Sequence, residues 1–377
     1  MFNNVYRGKK VLITGNTGFK GSWLTVWLLN LGADVYGISN EVPTTPSMFE
    51  TLKLRERISY HEHNITDFNA VRDLINKVKP DYIFHLAGQP IVHTAYVDPI
   101  GTFATNVMGT AHILEAVRQS NHPCKMVLIT SDKVYDNVEW KWGYRETDPL
   151  GGKDPYSASK AGAEMAIKTF YHSYFKLPES KAQLVVCRAG NVVGGGDWAA
   201  KRLVPDCFRQ WGAEQTVEIR EPRATRPWQH VMEALSGYLH VGQQLTERPE
   251  LNGEAYNFGP NTEKNYSVRE VLEVLRKYWE FDGAQEPIRY VENNKYHEAG
   301  LLKLNCDKVN FDLKWHAILS LEELGRMTAE WYFAFYRGKG TDMFAYTQAQ
   351  LAEYTKLAME RDCVWAQPVA EPTAVSA

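Results

Sequence analysis

The stretch that decides the fold is Thr14-Gly15-Asn16-Thr17-Gly18-Phe19-Lys20-Gly21, which reads TGNTGFKG. It follows the apolar run KVLIT and leads into an apolar helical pattern. Gly15 permits a tight turn, Gly18 lets backbone N–H groups approach a phosphate, and Gly21 allows close packing of helix on strand. Because the turn joins a strand to a helix N-terminus, we expect it to hold the pyrophosphate of a dinucleotide. A purely structural turn is the alternative.

Short apolar runs alternate with helical patterns through the first half of the chain. The runs lie at 10–14, 34–39, 82–88, 125–131 and 182–190, and the helical patterns near 19–31, 68–79, 100–119 and 156–175. Continuously apolar runs predict a parallel sheet that is covered on both faces. The expected fold is therefore α/β, a Rossmann-type doubly wound parallel sheet with ligands at the carboxyl ends of its strands.

The texture of the sequence changes after residue 190, where loops rich in glycine and proline separate short strands and helices. We expect residues 1–190 to form mainly the NAD-binding domain. Residues 191–335 are expected to form mainly a smaller C-terminal α/β substrate-binding lobe, interleaved with the last strands of the sheet. The tail at 366–377 is rich in Ala and Pro and is predicted to be disordered.

Composition narrows the class of partner. The net charge of the 377 residues is −3, which gives no reason to expect nucleic acid or an anionic membrane as a partner. No apolar run approaches the ~20 residues that span a bilayer. The five cysteines are scattered, without metal-ligand spacing. We expect a cytoplasmic protein that binds small molecules and no metal.

The end of the second predicted strand bears on the choice of cofactor. It reads Ser39-Asn40-Glu41, with no carboxylate at the place that usually binds the NAD ribose and no arginine for a 2′-phosphate. The sequence leans towards NAD. Asp67 is expected to bind the adenine amino group, to cap the N-terminus of the next helix, or to do both. Lys20 is either a phosphate or ribose contact or a solvated loop charge.

A tyrosine and a lysine stand four residues apart in DPYSASK. Tyr156 and Lys160 begin a predicted helix, so both side chains project from one face. A lysine ammonium near the phenol would stabilise the phenolate, which would make Tyr156 a base near neutral pH. An exposed pair of no catalytic significance is the alternative.

Taken together, these motifs resemble those of the extended short-chain dehydrogenases/reductases that act on nucleotide sugars. The matching stretches cover roughly residues 8–335 in the family's order: TGNTGFKG, NITD, FHLAGQP, TNVMGT, TSDKVY, PYSASK and CRAGNVVGGGD. GFKGSWL, TSDKVYDN, WGYRE and RPWQHV are similar to the branch that dehydrates CDP-glucose. The resemblance implies NAD as cofactor, CDP-glucose as substrate, and a homodimer or dimer of dimers built on the helices near 100–119 and 156–175.

The reaction implied by the resemblance has no net redox change. Tyr156 removes the proton from the sugar O4 while hydride passes from C4 to NAD⁺. The 4-ketone acidifies the C5 proton, water leaves across C5–C6, and hydride returns to C6. The product is CDP-4-keto-6-deoxyglucose.

The resemblance also implies a set of cofactor contacts. Gly15, Asn16, Thr17, Gly18, Phe19, Lys20 and Gly21 would wrap the pyrophosphate, Ile65 and Asp67 would flank the adenine, Leu86, Ala87, Gly88 and Gln89 would lie beside the adenosine ribose and phosphates, and Tyr156 and Lys160 would meet the nicotinamide ribose.

Substrate contacts are implied in the second half of the chain, where guanidinium groups and backbone donors suit a diphosphate. The candidates are Asn191, Arg202, Leu203, Val204, Pro205, Ile219, Arg220, Arg226, His297 and Glu298. For each of them a surface salt bridge or a helix cap is the alternative. His93 departs from the resembling dehydratases, which carry Arg in a loop facing the sugar.

ITSDKVY, at the carboxyl end of the fourth predicted strand, is the stretch that separates the possible reactions. Ser131 is expected to bond the substrate O4, and Asp132 to protonate the departing C6 hydroxyl, for which burial should raise its pKa. Resembling enzymes that act on dTDP-glucose carry Glu where this chain has Lys133. We hypothesise that Lys133 is the base for the C5 proton. The alternative is a salt bridge from Lys133 to Asp132 that only shapes the turn.

Three rival functions stay open. A nucleotide-sugar 4-epimerase also oxidises C4 but needs no acid for the C6 hydroxyl, so Asp132 favours elimination. A decarboxylase would call for a second arginine near the fourth strand, which is not seen. A dinucleotide sensor on the same scaffold would typically lose the Tyr156–Lys160 pair, and this chain keeps it.

Overall fold

The structure, a computed structural model, describes residues 1–260, 266–281, 286–291 and 302–368. Its strands are β1 (Lys10–Thr14), β2 (Asp34–Ser39), β3 (Ser59–Glu62), β4 (Tyr82–His85), β5 (Cys124–Ile129), β6 (Ala182–Ala189), β7 (Val192–Val193), β8 (Val217–Ile219), β9 (Thr225–Arg226), β10 (Gln229–His230), β11 (Ala255–Phe258), β12 (Tyr266–Ser267) and β13 (Ile288–Tyr290). Seven of them form one parallel sheet in the order β11-β6-β5-β4-β1-β2-β3. The expected Rossmann-type fold is confirmed.

Helices flank this sheet and build most of the second half of the chain. They are α1 (Phe19–Asn30), α2 (Met48–Thr51), α3 (Phe68–Val78), α4 (Val92–Val97), α5 (Pro99–Phe103), α6 (Gly109–Ser120), α7 (Pro155–Phe170), α8 (Leu203–Gly212), α9 (Val231–Glu247), α10 (Val268–Lys277), α11 (Asp307–Leu313), α12 (Leu321–Arg337) and α13 (Met343–Glu360). Single π-helical turns, Ala104–Met108 and Tyr171–Phe175, continue α5 and α7. Within the described ranges, no helix has the length and apolar character needed to cross a bilayer.

The core explains why the strands read as continuous apolar runs. Along β1, Val11 and Ile13 pack into one hydrophobic cluster and Leu12 into another, and all three are at most 1% exposed. Successive side chains of a strand point to opposite faces, so both faces of the sheet are covered. The prediction of a two-sided sheet holds.

Two strands of the sheet, β3 and β11, have no counterpart among the strand ranges predicted from the sequence. β3, with the sequence SYHE, lies at the sheet edge and pairs only with β2. Its side chains are half-buried or exposed because few elements cover an edge strand. Because β3 was missed, ITSDKVY lies at the end of the fifth strand of the chain and not of the fourth.

The second half of the chain interleaves with the sheet and then extends beyond it. β11 pairs with β6, whereas the short pairs β7–β10, β8–β13 and β9–β12 lie outside the main sheet. After α12, helix α13 returns towards the dinucleotide-binding half. The Trp365 ring stacks on Phe2 with centroids 5.1 Å apart, and Ala366 is buried. The predicted disordered tail therefore starts no earlier than residue 367, and residues 369–377 lie outside the described ranges.

Candidate active site

The glycine turn between β1 and α1 is packed at its ends and open in its middle. Gly15 has a φ of +75°, and a Cβ there would lie 2.8 Å from the Ala87 backbone. A Cβ on Gly21 would lie 2.2 Å from the Gly15 carbonyl oxygen. On Gly18, the N-cap of α1, a Cβ would come no closer than 3.4 Å to that same oxygen. The turn thus leaves room at a helix N-terminus, where free N–H groups favour an anion.

Asn16 and Thr17 connect this turn to the end of β2. Ser39 Oγ donates to Asn16 Oδ1 at 2.9 Å, and Thr17 Oγ1 donates to the Glu41 carbonyl at 2.7 Å. Asn16 is buried, and in the described part of the chain its Nδ2 has no hydrogen-bond partner. A buried donor without an acceptor is costly, so this amide fits a site in which a ligand oxygen accepts from it.

Lys20 is not the solvated loop charge that one interpretation of the sequence expected. It lies in the first turn of α1, half-buried, with Nζ 5.9 Å from the centroid of the Tyr238 ring. Burial, followed by the positive charge of Arg202, lowers the pKa of Lys20 to about 8, while Asp132 acts in the opposite direction. Contact with a phosphate or ribose stays a prediction.

The two residues expected at the adenine lie between β3 and α3. Asp67 is the N-cap of α3, and its side chain accepts from the Ala70 N–H at 3.1 Å, which confirms the capping interpretation. Ile65 is buried, and a Cβ on Gly109 would lie 2.5 Å from its Cδ1. Neither observation tests the adenine contact, which stays a prediction for both residues.

The predicted cofactor residues Leu86, Ala87, Gly88 and Gln89 leave β4 directly beside the glycine turn. The Ala87 N–H donates to Thr14 Oγ1 at 3.1 Å, and the Leu86 N–H donates to the Thr14 carbonyl at 3.1 Å. These bonds bring the exits of β1 and β4 together, as neighbouring parallel strands require. The glycine turn and residues 86–89, which were both predicted to contact the cofactor, therefore lie side by side at one edge of the sheet.

Asn106 is a site residue that the sequence analysis missed, although TNVMGT contains it. It is 2% exposed in the π-helical turn after α5. Its Oδ1 accepts from the Gln89 N–H at 2.7 Å and its Nδ2 donates to Ser159 Oγ at 2.8 Å. A Cβ on Gly88 would lie 2.9 Å from Asn106 Oδ1 and 3.0 Å from Lys160 Nζ. Asn106 thus joins the β4 exit to the helix that carries Lys160.

The strand-end residues Ser131, Asp132 and Lys133 form a short buried turn after β5. Ser131 Oγ donates to Asp132 Oδ1 at 2.9 Å and accepts from the Lys133 N–H at 3.2 Å. Burial raises the pKa of Asp132, as expected, although the charge of Lys133 and the Ser131 hydrogen bond oppose the rise. No salt bridge joins Asp132 to Lys133 in the described structure, so the alternative of an ion-paired turn is wrong. Lys133 is half-buried.

Tyr156 and Lys160 lie in the first two turns of α7, which Asp154 caps by accepting from the Tyr156 and Ser157 N–H groups. Their exposed fractions are 9% and 8%. Burial raises the pKa of Tyr156, and an interaction with the Ser131 hydroxyl opposes the rise. The expected net lowering of the Tyr156 pKa is therefore wrong for this structure. Burial lowers the pKa of Lys160 to about 8.

Part of the predicted substrate side converges on this chemistry. Arg202 is the N-cap of α8 and donates to Asp197 Oδ2 at 3.0 Å, so it does form the salt bridge that was its alternative. Its charge still reaches both Lys20 and Tyr156, whose pKa values it acts to lower. Leu203, Val204 and Pro205 form the first turn of α8, with Val204 and Pro205 buried.

The other predicted substrate residues are more dispersed. Asn191 is exposed between β6 and β7, Arg220 is exposed after β8, Ile219 is 4% exposed in the hydrophobic core, Arg226 is half-buried in β9, and His93 is exposed on α4. Arg226 Nη1 donates to the Thr225 carbonyl at 3.0 Å. His297 and Glu298 lie outside the described residues. These substrate roles stay predictions.

A β1–glycine turn–α1 unit, a buried tyrosine–lysine pair and a Ser-Asp-Lys turn thus meet at the carboxyl edge of a Rossmann-type sheet. The family model described as GDP-mannose 4,6 dehydratase matches residues 12–328 of this chain. The chain belongs to this family, the sugar-nucleotide dehydratases among the extended short-chain dehydrogenases/reductases.

Individual relatives narrow the comparison. The chain is 45% identical to the CDP-glucose 4,6-dehydratase of Salmonella typhimurium over 356 residues, which are 93% of this chain and 97% of that protein. Among solved structures, the UDP-glucose 4-epimerase of Thermotoga maritima with UDP-glucose gives a TM-score of 0.73 at 22% identity, covering 86% of this chain and 99% of that one. The dTDP-glucose 4,6-dehydratase of Bacillus anthracis in complex with NAD gives 0.70 at 22%, covering 90% and 100%. At these identities the two structures establish the fold alone.

Proposed function

We propose that the protein dehydrates CDP-glucose to CDP-4-keto-6-deoxyglucose with NAD held in its Rossmann half. The observation that carries the substrate and the reaction is the 45% identity, over 93% of this chain, to the Salmonella CDP-glucose 4,6-dehydratase. The Bacillus anthracis dehydratase, whose structure contains NAD, supports the cofactor.

The residues present fit NAD. Gly15 and Gly21 have no space for a side chain, whereas a Cβ on Gly18, at the N-terminus of α1, would contact only the Gly15 carbonyl oxygen, at 3.4 Å. The unpartnered Asn16 amide offers a donor beside this turn. When bound, NAD accepts a hydride from the sugar and returns it after water has left. The glycine turn would hold its pyrophosphate, and Lys160, beneath Gly88, would hold the ribose next to the nicotinamide.

In the oxidation step, Tyr156 receives the proton of the sugar O4. The Ser131 hydroxyl interacts with the phenol and favours its ionised form. Its single proton, donated to Asp132 Oδ1 in this structure, would turn towards the O4 atom when the sugar binds. Both side chains are buried, which keeps bulk water away from the ketone that forms. Lys160 contributes positive charge from the same helix.

In the elimination step, Lys133 removes the proton at C5 and Asp132 donates its proton to the C6 hydroxyl, which leaves as water. Once hydride has returned to C6, the Lys133 ammonium gives the proton back to C5. Burial favours the protonated form of Asp132, which is the form that the step needs. Since Lys133 forms no salt bridge with Asp132 among the described residues, its amine is available to the substrate. A lysine can accept a proton only in its neutral form, so the step requires Lys133 to lose its charge once the sugar is bound.

The substrate diphosphate would lie towards the start of α8. Arg202 offers a guanidinium there and Lys20 an ammonium, and the backbone of Leu203 and Val204 opens a helix N-terminus. Asn191 and Arg226 would complete the diphosphate site, with Ile219, Arg220, His297 and Glu298 nearer the nucleoside.

The test is incubation of the purified protein with CDP-glucose, dTDP-glucose and UDP-glucose, followed by NMR of the products. A 4-keto-6-deoxy sugar formed from CDP-glucose is the expected result. A galactose-configured product would instead identify a 4-epimerase, and conversion of dTDP-glucose or UDP-glucose alone would overturn the choice of nucleotide.

We also infer a homodimer and a cytoplasmic location. Apolar side chains on α4, α5 and α7 are exposed over large fractions: Tyr96 64%, Val97 74%, Ile100 79% and Met165 56%. An apolar surface of this kind on neighbouring helices suits association with a second copy of the chain.

All five cysteines are free thiols, which supports a reducing compartment.

A further inference from the structure

A buried ion pair borders the strand-end turn that carries Ser131 and Asp132. Glu164 on α7 and Arg188 on β6 are each 4% exposed. Arg188 Nε donates to Glu164 Oε1 at 2.8 Å, and Arg188 Nη2 donates to Glu164 Oε2. The same Oε1 accepts a hydrogen bond from Thr130 Oγ1 at 2.6 Å. The pair therefore holds the residue immediately before Ser131.

The pair also holds the other end of the turn. Arg188 Nη1 donates to the Tyr135 hydroxyl at 2.7 Å, and that hydroxyl donates to Asn257 Oδ1 on β11 at 2.7 Å. Thr130 and Tyr135 are the residues on either side of 131–134. One buried ion pair thus fixes both ends of the segment that presents the acid and the base proposed above.

We propose that Glu164, held by Arg188, is a positioning residue: it ties the Thr130–Tyr135 segment to the helix that carries Tyr156 and Lys160. The inference rests on the proposed function, because it concerns the placement of Ser131, Asp132 and Lys133 relative to Tyr156. Glu164 acts through Thr130: its two carboxylate oxygens bond to Thr130 and Arg188.

The fold alone does not need this arrangement. The Thr130 N–H already donates to the Cys187 carbonyl at 3.0 Å, so the backbone is held where β5 ends. A buried ion pair generally adds little net stability compared with apolar side chains of the same volume. The paired Arg188 guanidinium and Glu164 carboxylate instead fix the orientation of the groups bonded to them, because the geometry of two parallel hydrogen bonds tolerates little displacement.

Glu164 has a second effect through its charge. It lies one helical turn after Lys160, and its carboxylate acts to raise the pKa of Lys160 against the lowering caused by burial. Other titratable groups near Lys160 are Tyr156 on the same helix, Lys20 on α1 and His85 on β4. Removing the Glu164 charge should therefore make Lys160 lose its proton at a lower pH.

The experiment compares Thr130→Val, Thr130→Ser and Glu164→Gln in the full-length protein. Thr130→Val deletes the hydroxyl and leaves the ion pair, whereas Thr130→Ser keeps the hydroxyl. Glu164→Gln keeps an oxygen acceptor and deletes the charge. Glu233→Gln is the matched control, because Glu233 is an equally buried glutamate, 1% exposed on α9 and distant in its contacts from this turn.

We expect Thr130→Val to lower kcat by about 10- to 100-fold, as small misplacements of reacting groups do, with KM for CDP-glucose changed less than about twofold. Thr130→Ser should recover most of the loss. In Glu164→Gln, the alkaline limb of the pH profile for the C4-oxidation step should move to lower pH, and Glu233→Gln should match the wild type in both measurements.

The proposal is overturned if Thr130→Val retains wild-type kcat, or if Glu164→Gln shows an unshifted pH profile. If Thr130→Val does not accumulate as folded protein, Thr130→Ala, which also lacks the hydroxyl that bonds to Glu164, takes its place, and wild-type kcat in that variant overturns the proposal. A wild-type protein that leaves CDP-glucose unchanged would refute the proposed function instead, so the two failures are distinguishable.

Discussion

Asp132 is a carboxyl group whose surroundings favour the protonated form. It is 6% exposed, and burial raises its pKa. We predict that Asp132→Asn slows elimination by on the order of 10²- to 10⁴-fold, the range expected for the loss of a general acid. C4 oxidation should survive, so absorbance of the reduced nicotinamide should accumulate in a single turnover. Normal product formation without such accumulation would remove Asp132 from the acid role.

The pH dependence of the same step follows from the direction in which the pKa moves. An acid acts while it carries its proton, so elimination should fall as the pH rises through the Asp132 pKa, which burial raises. Single-turnover elimination rates measured across pH test this. Asp132→Asn should lose this decrease, and a decrease that persists in the variant would contradict an acid role.

Lys133 is the residue on which the assignment of the base depends. We predict that Lys133→Ala abolishes exchange of the C5 proton with deuterated solvent, because no amine remains to remove it, while C4 oxidation continues. NMR of the substrate recovered from D₂O measures the exchange. Lys141→Ala is the control, since Lys141 is an exposed lysine of the following loop. Persistent exchange in Lys133→Ala would place the base elsewhere.

For individual residues, the sequence predicted which side chains belong to the site better than it predicted how deeply they are buried. Spacing placed Tyr156 and Lys160 on one helix face, which the structure bears out. The same spacing could not show that burial raises the Tyr156 pKa against the opposing effects of Ser131 and Arg202, because burial depends on what the rest of the chain packs around α7. Asn106 was missed for a related reason: its role depends on a π-helical turn, and nothing in TNVMGT distinguishes that turn from ordinary helix.

Two glycines of the β1–turn–α1 unit offer substitutions with different effects, one mainly on the stability of the fold and the other mainly on cofactor binding. A Cβ on Gly21 would lie 2.2 Å from the Gly15 carbonyl oxygen, whereas a Cβ on Gly18 would lie 3.4 Å from it. We predict that Gly21→Ala destabilises the fold by about 1–3 kcal/mol through overpacking. Gly18→Ala should lower the melting temperature of the cofactor-free protein less than Gly21→Ala does, but weaken NAD binding by at least about tenfold, or ~1.4 kcal/mol.

Calorimetric titration of NAD and thermal melts of the cofactor-free variants measure the two effects. If Gly18→Ala binds NAD as the wild type does, the turn is only structural. If both variants lose stability equally, the space for a Cβ on Gly18 does not exist in solution.

The elements that the sequence predicted well are those with a strong periodic signal. β1 and β2 have the predicted bounds, because each is a continuous apolar run covered on both faces. β3 was missed because an edge strand of SYHE has no such run. The short pairs β7–β10, β8–β13 and β9–β12 comprise two or three residues per strand, which is too short for any periodicity to appear.

For the whole molecule, the exposed apolar surface on α4, α5 and α7 predicts the dimer interface. Ile100→Asp should convert the protein to a monomer, because a charge at the centre of an apolar interface is strongly unfavourable. Ile100 is 79% exposed in one chain. Phe311→Asp is the control, because Phe311 is 78% exposed on α11, away from those helices. Sedimentation of both variants measures the mass, and a dimeric Ile100→Asp would reject this surface as the interface.

The C-terminal helices could not be placed from sequence, because their contacts are to residues far away in the chain. Glu233 on α9 shows how they attach: its Oε1 accepts from the Ile318 N–H at 2.9 Å and from the Leu319 N–H at 2.6 Å. Tyr354 on α13 donates its hydroxyl to Glu233 Oε2 at 2.9 Å. One buried carboxyl group therefore joins α9 to the segment before α12 and to α13.

That carboxyl group should make stability depend on pH. Burial raises the pKa of Glu233 to about 7, although the hydrogen bonds from Leu319 and Tyr354 oppose the rise. The folded state thus binds a proton that the unfolded state has released between the ordinary glutamate pKa and about 7, so the free energy of unfolding should fall as the pH rises through this window. Each tenfold difference in proton affinity between the folded and unfolded states corresponds to about 1.4 kcal/mol, which makes the loss on the order of 1–3 kcal/mol.

Glu233→Gln removes this dependence and keeps an oxygen acceptor for the two N–H groups, with an amide that Tyr354 can accept from. We predict that the variant melts a few degrees above the wild type at pH 8 and that the difference shrinks towards pH 5, since only the wild type gains a proton there. Thermal melts at both pH values, with equal NAD content, measure it. A variant less stable than the wild type at pH 8 would show that the ionised carboxylate, through its hydrogen bonds, stabilises the attachment of α13 by more than its burial costs.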